Sequence, residues 1–591
     1  MIFISYNDIL NMLRLLPRTK TNGHRRENML DIAKDKKFWE KVRTSDDYKR
    51  LRDDLKEEYD KHFTEPPRPR SAREIFENND HGTYFRNINQ LQYSALMALI
   101  YPDNMEYYNN LVDVVWAYCN EYAWAPLGHY NDYYNRTPAD YDPGLLDIFA
   151  CSIGFSMAEI KSLFKDRFPK LLVDRMTAEI RRRTIEPYIN RKFFWEKHDN
   201  NWTAVCTGSV GAVLMYEDPE LYYKYQKRLH DSMECYLAPY RDDGMCVEGS
   251  AYWGFGFGFF CNYAMLEREF TNGEVDWFKR DKVKAIATYI QRMYLQPNVV
   301  ATYGDCNFKE VYWYGLAHLL RKVYPKSVEK LPMLNVNLLS YVHFTFGLRA
   351  FVYFDAKNVT DKLENGTYCA KDSSYFTKRT DSYGFTCKGG DNGESHNHND
   401  VGSFIFARNN KQLICDLGYP GPTAKTPGYH GHNRYDYFNP SSFSHSVPYF
   451  DGKGQDGYRR APVFVKYNKK NDVAYMDITG GYGIEGLSKV ERTFYFGEKE
   501  IILKDNFTTT KELKITERFV STTKPRVKGN TIHIDDVYLI GSDNAVLRIA
   551  EVPYSAQFPD EKGNHDQICY CFDFQLKEGE REFTLKIQVG R

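Results

Sequence analysis

The chain has 591 residues, and its 79 Lys+Arg cancel 79 Asp+Glu. Zero formal charge argues against a nucleic-acid binder, which carries a basic excess to neutralise phosphates, and a mean hydropathy of −0.60 without an apolar run of about twenty residues excludes a helical membrane protein. At 42% hydrophobic the chain is not disordered, and its 16% aromatic content, with Tyr 47, Phe 38 and Trp 8, suggests sugar-stacking rings beside those of an ordinary core.

The chain opens Met1-Ile-Phe-Ile-Ser-Tyr6 without the basic and apolar regions of a signal peptide. The expected location is therefore cytoplasmic, or outside the cell if a leader precedes this sequence. Charged helix formers dominate 28–60 until Thr64-Glu-Pro-Pro-Arg-Pro-Arg70 interrupts them. Trp124-Ala-Pro-Leu-Gly-His129 reads as an aromatic loop, and Arg181-Arg-Arg183 as the solvated face of a helix. Asp199-Asn-Asn-Trp-Thr203 precedes the small-residue run Thr207–Ala212, which makes Asn200 a natural N-cap. Leu221, Tyr225, Leu229 and Met233 form a stripe at helical spacing, as do Val283, Ile286, Ile290 and Met293 before Pro297. Between these stripes, Asp242–Gly258 alternates glycines with rings and suits a cleft-lining loop. Many helices joined by aromatic-rich connections predict an incomplete α/α toroid over 1–340, although no fixed repeat is legible.

From 341 to 591 the pattern changes to short alternating runs. Val463–Tyr467, Glu491–Phe496, Thr531–Asp535 and Phe583–Val589 predict an antiparallel β-sandwich, with turn signals at Gly480-Gly481 and Gly497–Glu500. Helices first and strands afterwards make an α+β chain of two domains, with the boundary in 335–350 and a groove expected between them. The 12 Cys show no C-x-x-C pair and are expected as reduced, mostly buried thiols, with Cys569 and Cys571 on one sheet face.

His396, His398, His430, His432 and His445 fall within fifty residues. A His-x-His on a strand puts both rings on one face, Cβ atoms about 7 Å apart, so one or both can bind a metal. Asp416, ending an apolar run, and His445 could complete a His/His/Asp shell for Zn²⁺; a polar His-rich loop at a domain seam is the plainer reading.

At Asn200-Asn-Trp202, Glu248-Gly-Ser-Ala-Tyr-Trp253, His396-x-His398-x-Asp400-x-Gly-Ser-Phe404, Cys415-Asp-Leu-Gly418, and His445 with Asp451-Gly-Lys-Gly-Gln455, the sequence resembles the heparinase II/III-like polysaccharide lyases. The likeness spans most of the chain, in the family's order of toroid and sandwich. It implies β-elimination on uronic-acid glycans such as glycosaminoglycan or alginate, leaving an unsaturated uronate. It makes Tyr252 the catalytic acid/base, Asn201 the group that neutralises the uronate carboxylate, His396 the catalytic partner from the sandwich, and His398, Asp416 and His445 a structural zinc site. Substrate contacts are expected from Asn200, Trp202, Trp124, His129, Glu248, Trp253 and Arg434. Two positions depart from the family: some members have His at Trp202, and Asn is common at Ser446.

The C5 proton of a uronate is weakly acidic, because its carbanion sits beside a carboxylate. Donors on that carboxylate spread the charge into an enolate-like form. Tyr, with a reference pKa of ~10, needs nearby positive charge to act as a base at pH 7, and His396 or Arg434 could supply it. The rivals are an α/α-toroid glycoside hydrolase using paired carboxylates among Asp242, Asp243, Glu248 and Asp305, and a non-catalytic glycan-binding protein. The expected partner is an anionic oligo- or polysaccharide, with no nucleic acid and no membrane; a homo-oligomer stays open.

Overall fold

The computed structural model describes residues 29–76, 81–129, 142–306, 314–339, 343–421, 429, 433–556 and 564–590. The opening segment and His430 and His432 lie outside the described residues. Among the described residues, no helix is long and apolar enough to cross a membrane.

The charged stretch after residue 28 folds as helices Met29–Lys34, Lys36–Thr44 and Lys49–His62, with Leu51 and Leu55 fully inside. Asn200 caps the helix Asn201–Glu217, its side chain accepting from Trp202 N at 3.1 Å. The small residues of that helix serve close packing. A Cβ on Gly211 would sit 2.5 Å from the Tyr263 ring of helix Gly258–Phe270. Both predicted stripes face the core: Leu229 and Met233 are buried in helix Pro219–Leu237, and Val283, Ile286, Ile290 and Met293 in helices Asp281–Ala287 and Tyr289–Met293.

Helical structure continues past residue 340, through the boundary region of 335–350 expected from the sequence. Its last helix, Phe344–Tyr353, packs against the early helices Met29–Lys34, His81–Ile100 and Ile148–Phe164, closing most of a ring. Arg349 locks that closure with a two-pronged pair to Glu159 (3.0 and 3.1 Å), both side chains buried. Arg183 also departs from expectation. Only 2% of its side chain is exposed; it pairs with Glu179 at 2.7 Å and donates to the Glu121 and Tyr122 carbonyls, because the helix turns that face inward.

The C-terminal part contains three antiparallel sheets. Five strands run in order from Gly366–Ala370 to Lys411–Ile414; four pair Ala545–Ser555, Asp566–Leu576, Ile515–Ser521 and Tyr449–Phe450; eight extend from Arg526–Lys528 to Lys466–Asn468. Phe385, Phe404, Phe494, Phe519 and Phe574, drawn from all three, share one core. The predicted strands at 491–496 and 583–589 fall within Leu487–Phe496 and Glu582–Val589, and that at 531–535 is strand over Thr531–Ile534, with Asp535 in the following turn. Of 463–467 only the end is strand, in Lys466–Asn468, while Val463 bridges Gly390. All twelve cysteines are free thiols, ten of them buried. The chain is thus a helical domain followed by antiparallel sheets, as its patterning predicts.

The two domains meet along 302–306, which follows the short hairpin Tyr294–Gln296 and Val299–Val300. Tyr303 OH donates to Thr386 O, Thr302 Oγ1 to the Asp416 carbonyl, and Tyr419 N to Cys306 O. Gly249 backs onto this segment. Its φ is +97°, and a Cβ there would meet Tyr303 O at 2.7 Å and Cys306 Sγ at 2.4 Å. Gly249→Ala is therefore expected to cost about 3 kcal/mol, combining backbone strain with overpacking. Denaturant unfolding of the variant checks this, and an unchanged midpoint would contradict it.

Candidate active site

Tyr252 ends the short helix Ser250–Tyr252, which runs on through a wide turn at Trp253–Phe257 into Gly258–Phe270. Gly256 lets that turn lie close to Asn201; a Cβ would come 3.1 Å from Asn201 Cβ. The Asn201 amide, at the first position of its own helix, reaches Glu248 Oε2 at 3.3 Å. Glu248 Oε2 in turn stands 3.5 Å from His396 Nδ1. The His396 ring stacks on Tyr252, with centroids 3.8 Å apart at 22°. Asn201, Glu248, His396 and Tyr252 thus form one continuous cluster across the domain seam.

His396 and His398 do not lie on a strand. They occupy a loop, and His396 has φ +55°, a left-handed conformation uncommon for a residue with a Cβ. The two rings therefore diverge. His396 faces the helical domain, while His398 is fully buried with Asp416 and His445. One donor atom from each of those three residues lies within 4.8 Å of the others. His398 Nδ1, Asp416 Oδ2 and both His445 ring nitrogens lack hydrogen-bond partners. The Asp416 Oδ2 to His445 Nδ1 approach of 3.3 Å has ion-pair distance without hydrogen-bond geometry. Buried, unpartnered nitrogens facing a carboxylate fit a Zn²⁺ donor set.

Asp305, expected only as a rival catalytic carboxylate, lies beneath this cluster. Its Oδ1 accepts from Arg434 Nη2 at 2.6 Å, His398 Nε2 at 3.2 Å and Tyr429 OH at 3.2 Å. Burial alone would raise the Asp305 pKa, but Arg434 and then His398 hold it well below the usual range. Arg434 is itself buried and also donates to Asn397 O, so in this structure it is a partner of Asp305.

The same ledger decides Tyr252. Burial, Asp305, Tyr419 and Glu248 all raise its pKa, and Arg434 alone opposes them. The phenol is pushed up, not down; the positive charge expected to make it a base is outweighed, because Arg434 is spent on Asp305.

Two of the expected sugar-binding rings are core. Trp124 is 1% exposed, donates to Tyr118 O and lies under the Arg183 guanidinium. Trp253 is fully buried and donates to Ile286 O. Trp202, 6% exposed, packs on His129 and Phe194, and His129 Nδ1 is 2.6 Å from Asp147 Oδ2. The cleft beside Tyr252 is walled instead by Asn200, Asn201, Tyr240, Arg241, Met245 and Glu248. Sequence reasoning missed Arg241 and Tyr240; the only signal was their position just before the Asp-Gly turn at 243–244. A larger cavity of about 850 Å³, lined by Tyr48, His318, Arg321 and Tyr353, includes none of these residues.

This toroid-and-sandwich fold is shared with solved polysaccharide lyases. Heparinase III aligns at TM-score 0.63 and 13% identity, covering 99% of this chain and 89% of that one. The heparan sulfate lyase HepC from Pedobacter heparinus aligns at 0.58 and 13%, covering 95% and 87%. The Streptomyces coelicolor A3 chondroitin AC lyase in complex with chondroitin sulphate aligns at 0.57 and 10%, covering 94% and 82%. More particularly, residues 368–571 match the family model "Heparinase II/III-like, C-terminal", which takes in the motifs at 396–404, 415–418 and 445–455, while those at 200–202 and 248–253 lie outside the match. No curated protein matches this chain.

Glu394 lies on the His396 loop, 3.7 Å from Arg241 across the seam, with both carboxyl oxygens buried and neither in a hydrogen bond. Burial, only partly offset by Lys388, raises its pKa from 4.5 to about 7. The folded chain then binds a proton between pH 4.5 and about 7 that the unfolded chain has lost, so stability falls as pH rises through that window and levels off above it. Glu394→Gln removes this dependence. Its stability advantage is expected to be absent near pH 4.5 and to grow to on the order of 3 kcal/mol by pH 7.5. Unfolding midpoints across that range test it; a constant gap would contradict the assignment.

Proposed function

We propose that the protein is a polysaccharide lyase that cleaves uronic-acid-containing glycans by β-elimination. The observation that carries this reading is the stack of Tyr252 on His396 across the seam, with the Asn201 amide in the same cluster. Elimination needs three things at adjacent atoms: an acceptor for the C5 proton, a donor for the O4 leaving group, and hydrogen-bond donors on the carboxylate. The shared fold with heparinase III and a chondroitin AC lyase supports the class of substrate, an anionic glycan.

The charges around Tyr252 favour an order of roles. A phenol with a raised pKa is protonated in the free protein, so it serves as the donor to O4. His396 Nδ1 is flanked by Glu248 Oε2 and Ser395 Oγ, at 3.5 and 3.3 Å, which leaves Nε2 as the nitrogen open to the C5 proton. Asn201, released from Glu248 when substrate enters, would donate to the uronate carboxylate. The hydrolase alternative is poorly supplied. Asp305 is locked by three donors, and Asp243 accepts from Ser373 N and Oγ at 2.8 and 2.6 Å.

His398, Asp416 and His445 would hold a zinc ion. When bound, zinc would cross-link the loops that carry these ligands, a folding role and not a chemical one. No step of the elimination needs it.

With uronate-containing oligosaccharides, turnover is expected to appear as ultraviolet absorbance of a new C4=C5 bond. Tyr252→Phe should lower that rate by about 10²–10⁴-fold while leaving the fold intact. Near-normal turnover in the variant would sink the mechanism, and new reducing ends without absorbance would mean hydrolysis. Elemental analysis of purified protein is expected to find about one zinc per chain, and its absence would remove the metal from this reading.

A further inference from the structure

Asp305 belongs to the helical domain, yet its carboxylate oxygen touches a residue of the proposed metal set. Oδ1 already accepts from the Arg434 guanidinium and the Tyr429 hydroxyl, so it faces His398 as an acceptor. An imidazole nitrogen that faces an acceptor must carry the hydrogen. His398 Nε2, at 3.2 Å, is therefore the N–H, and the lone pair lies on Nδ1. With Nε2 turned to Asp305, Nδ1, the buried nitrogen of His398 without a hydrogen-bond partner, is the one left to join Asp416 and His445, whose donor atoms lie within 4.8 Å of a His398 ring nitrogen. Metal-ligating histidines typically donate their second N–H to a carboxylate, which fixes ring and tautomer.

We propose that Asp305 is a positioning residue for the metal site: reaching across the seam from the helical domain, it sets His398 in the tautomer that presents Nδ1 to a divalent cation. The inference rests on the zinc reading above. It gives the metal a consequence beyond the sandwich. The same residue's N–H donates to His396 O at 3.2 Å, and Gly304 is pressed against that carbonyl so closely that a Cβ would come within 2.9 Å. Asp305 thus holds the proton donor of His398 with its side chain and the backbone of His396 with its main chain. Metal affinity and the placement of His396 over Tyr252 are tied to one residue of the other domain. Arg434 completes the arrangement, pairing with Asp305 and steadying Asn397 between the two histidines.

The test measures zinc itself. Zinc-free wild type and Asp305→Asn are titrated with Zn²⁺ in competition with a chromophoric chelator, well below both unfolding midpoints. Asn keeps the size of the side chain but can turn either an oxygen or an N–H toward His398, so the tautomer is no longer fixed. The expected result is zinc binding about 10–100-fold weaker, with a smaller zinc-induced rise in melting temperature. A purely structural role would lower the zinc-free midpoint and leave the affinity of the folded protein unchanged; that outcome overturns the proposal. If wild type takes up no zinc, the metal reading falls and the inference with it. If wild type binds and the variant binds equally well, only the inference falls. Should the variant fail to fold, a crystal structure of zinc-loaded wild type decides. Metal on His398 Nδ1 with Nε2 toward Asp305 is expected, and metal on Nε2 with the ring turned away overturns it.

Discussion

One buried oxygen organises the centre of this molecule. Asp305 Oδ1 receives three hydrogen bonds, from a guanidinium, an imidazole and a phenol, at 2.6, 3.2 and 3.2 Å. A buried carboxylate is costly unless it is paired and hydrogen-bonded, and here all three bonds fall on one of its two oxygens. Here the pairing is spread over residues that lie far apart in the chain, so forming it commits the helical domain, the His loop and the segment around 434 to one arrangement. The left-handed backbone at His396 persists because this arrangement over-determines it. His396 is placed over Tyr252 as a result of how His398 and Arg434 satisfy Asp305.

A second buried charge holds the other side of the same loops. Arg492, with no exposed surface, pairs with Asp505 and Glu517 at 2.6 and 2.9 Å. Its remaining donor reaches the carbonyls of Gly402 and Ser446 at 2.9 and 2.6 Å. Gly402 lies two residues past Asp400 and Ser446 one past His445, so Arg492, on a strand of the sandwich, ties together the two loops that carry these imidazoles. Burial and the neighbouring Asp505 raise the Glu517 pKa well above normal, while Arg492 opposes the rise. Zero net charge over the whole chain is compatible with strong local fields because the charges that matter are inside.

What the sequence made legible was whatever depends on near neighbours. The Asn200 cap, the stripe ending at Met233, the strands around 491, 531 and 583, and the spacing of Glu248 and Tyr252 are all local patterns. The aromatic loops were read less well. Trp124 and Trp253 look like groove residues because glycine, proline and other rings surround them, yet each indole N–H is satisfied by a carbonyl inside the helical domain. Whether a ring faces core or cleft depends on helices that pack from elsewhere in the chain, and local composition does not carry that. The pairing of Arg434 is hidden for the same reason: its partner, Asp305, is 129 positions away. His-x-His carried a strand's geometry in the sequence reading, but the positive φ at His396 breaks the alternation and sends the rings to separate sites.

The direction of the Tyr252 shift bears on how any lyase chemistry is shared. A uronate entering the cleft adds negative charge near a phenol whose pKa burial and three acidic or phenolic neighbours already raise, so it makes the phenolate still less accessible. In the proposed reaction the stacked pair takes opposite roles, the phenol as proton donor and the open imidazole nitrogen as acceptor. The Asn201 amide is neutral and can follow the carboxylate into its enolate-like form without further charge being buried. A cleft with one protonated phenol, one open imidazole nitrogen and one amide needs no broad basic field to act on an anionic sugar, which is what a chain with balanced charge provides.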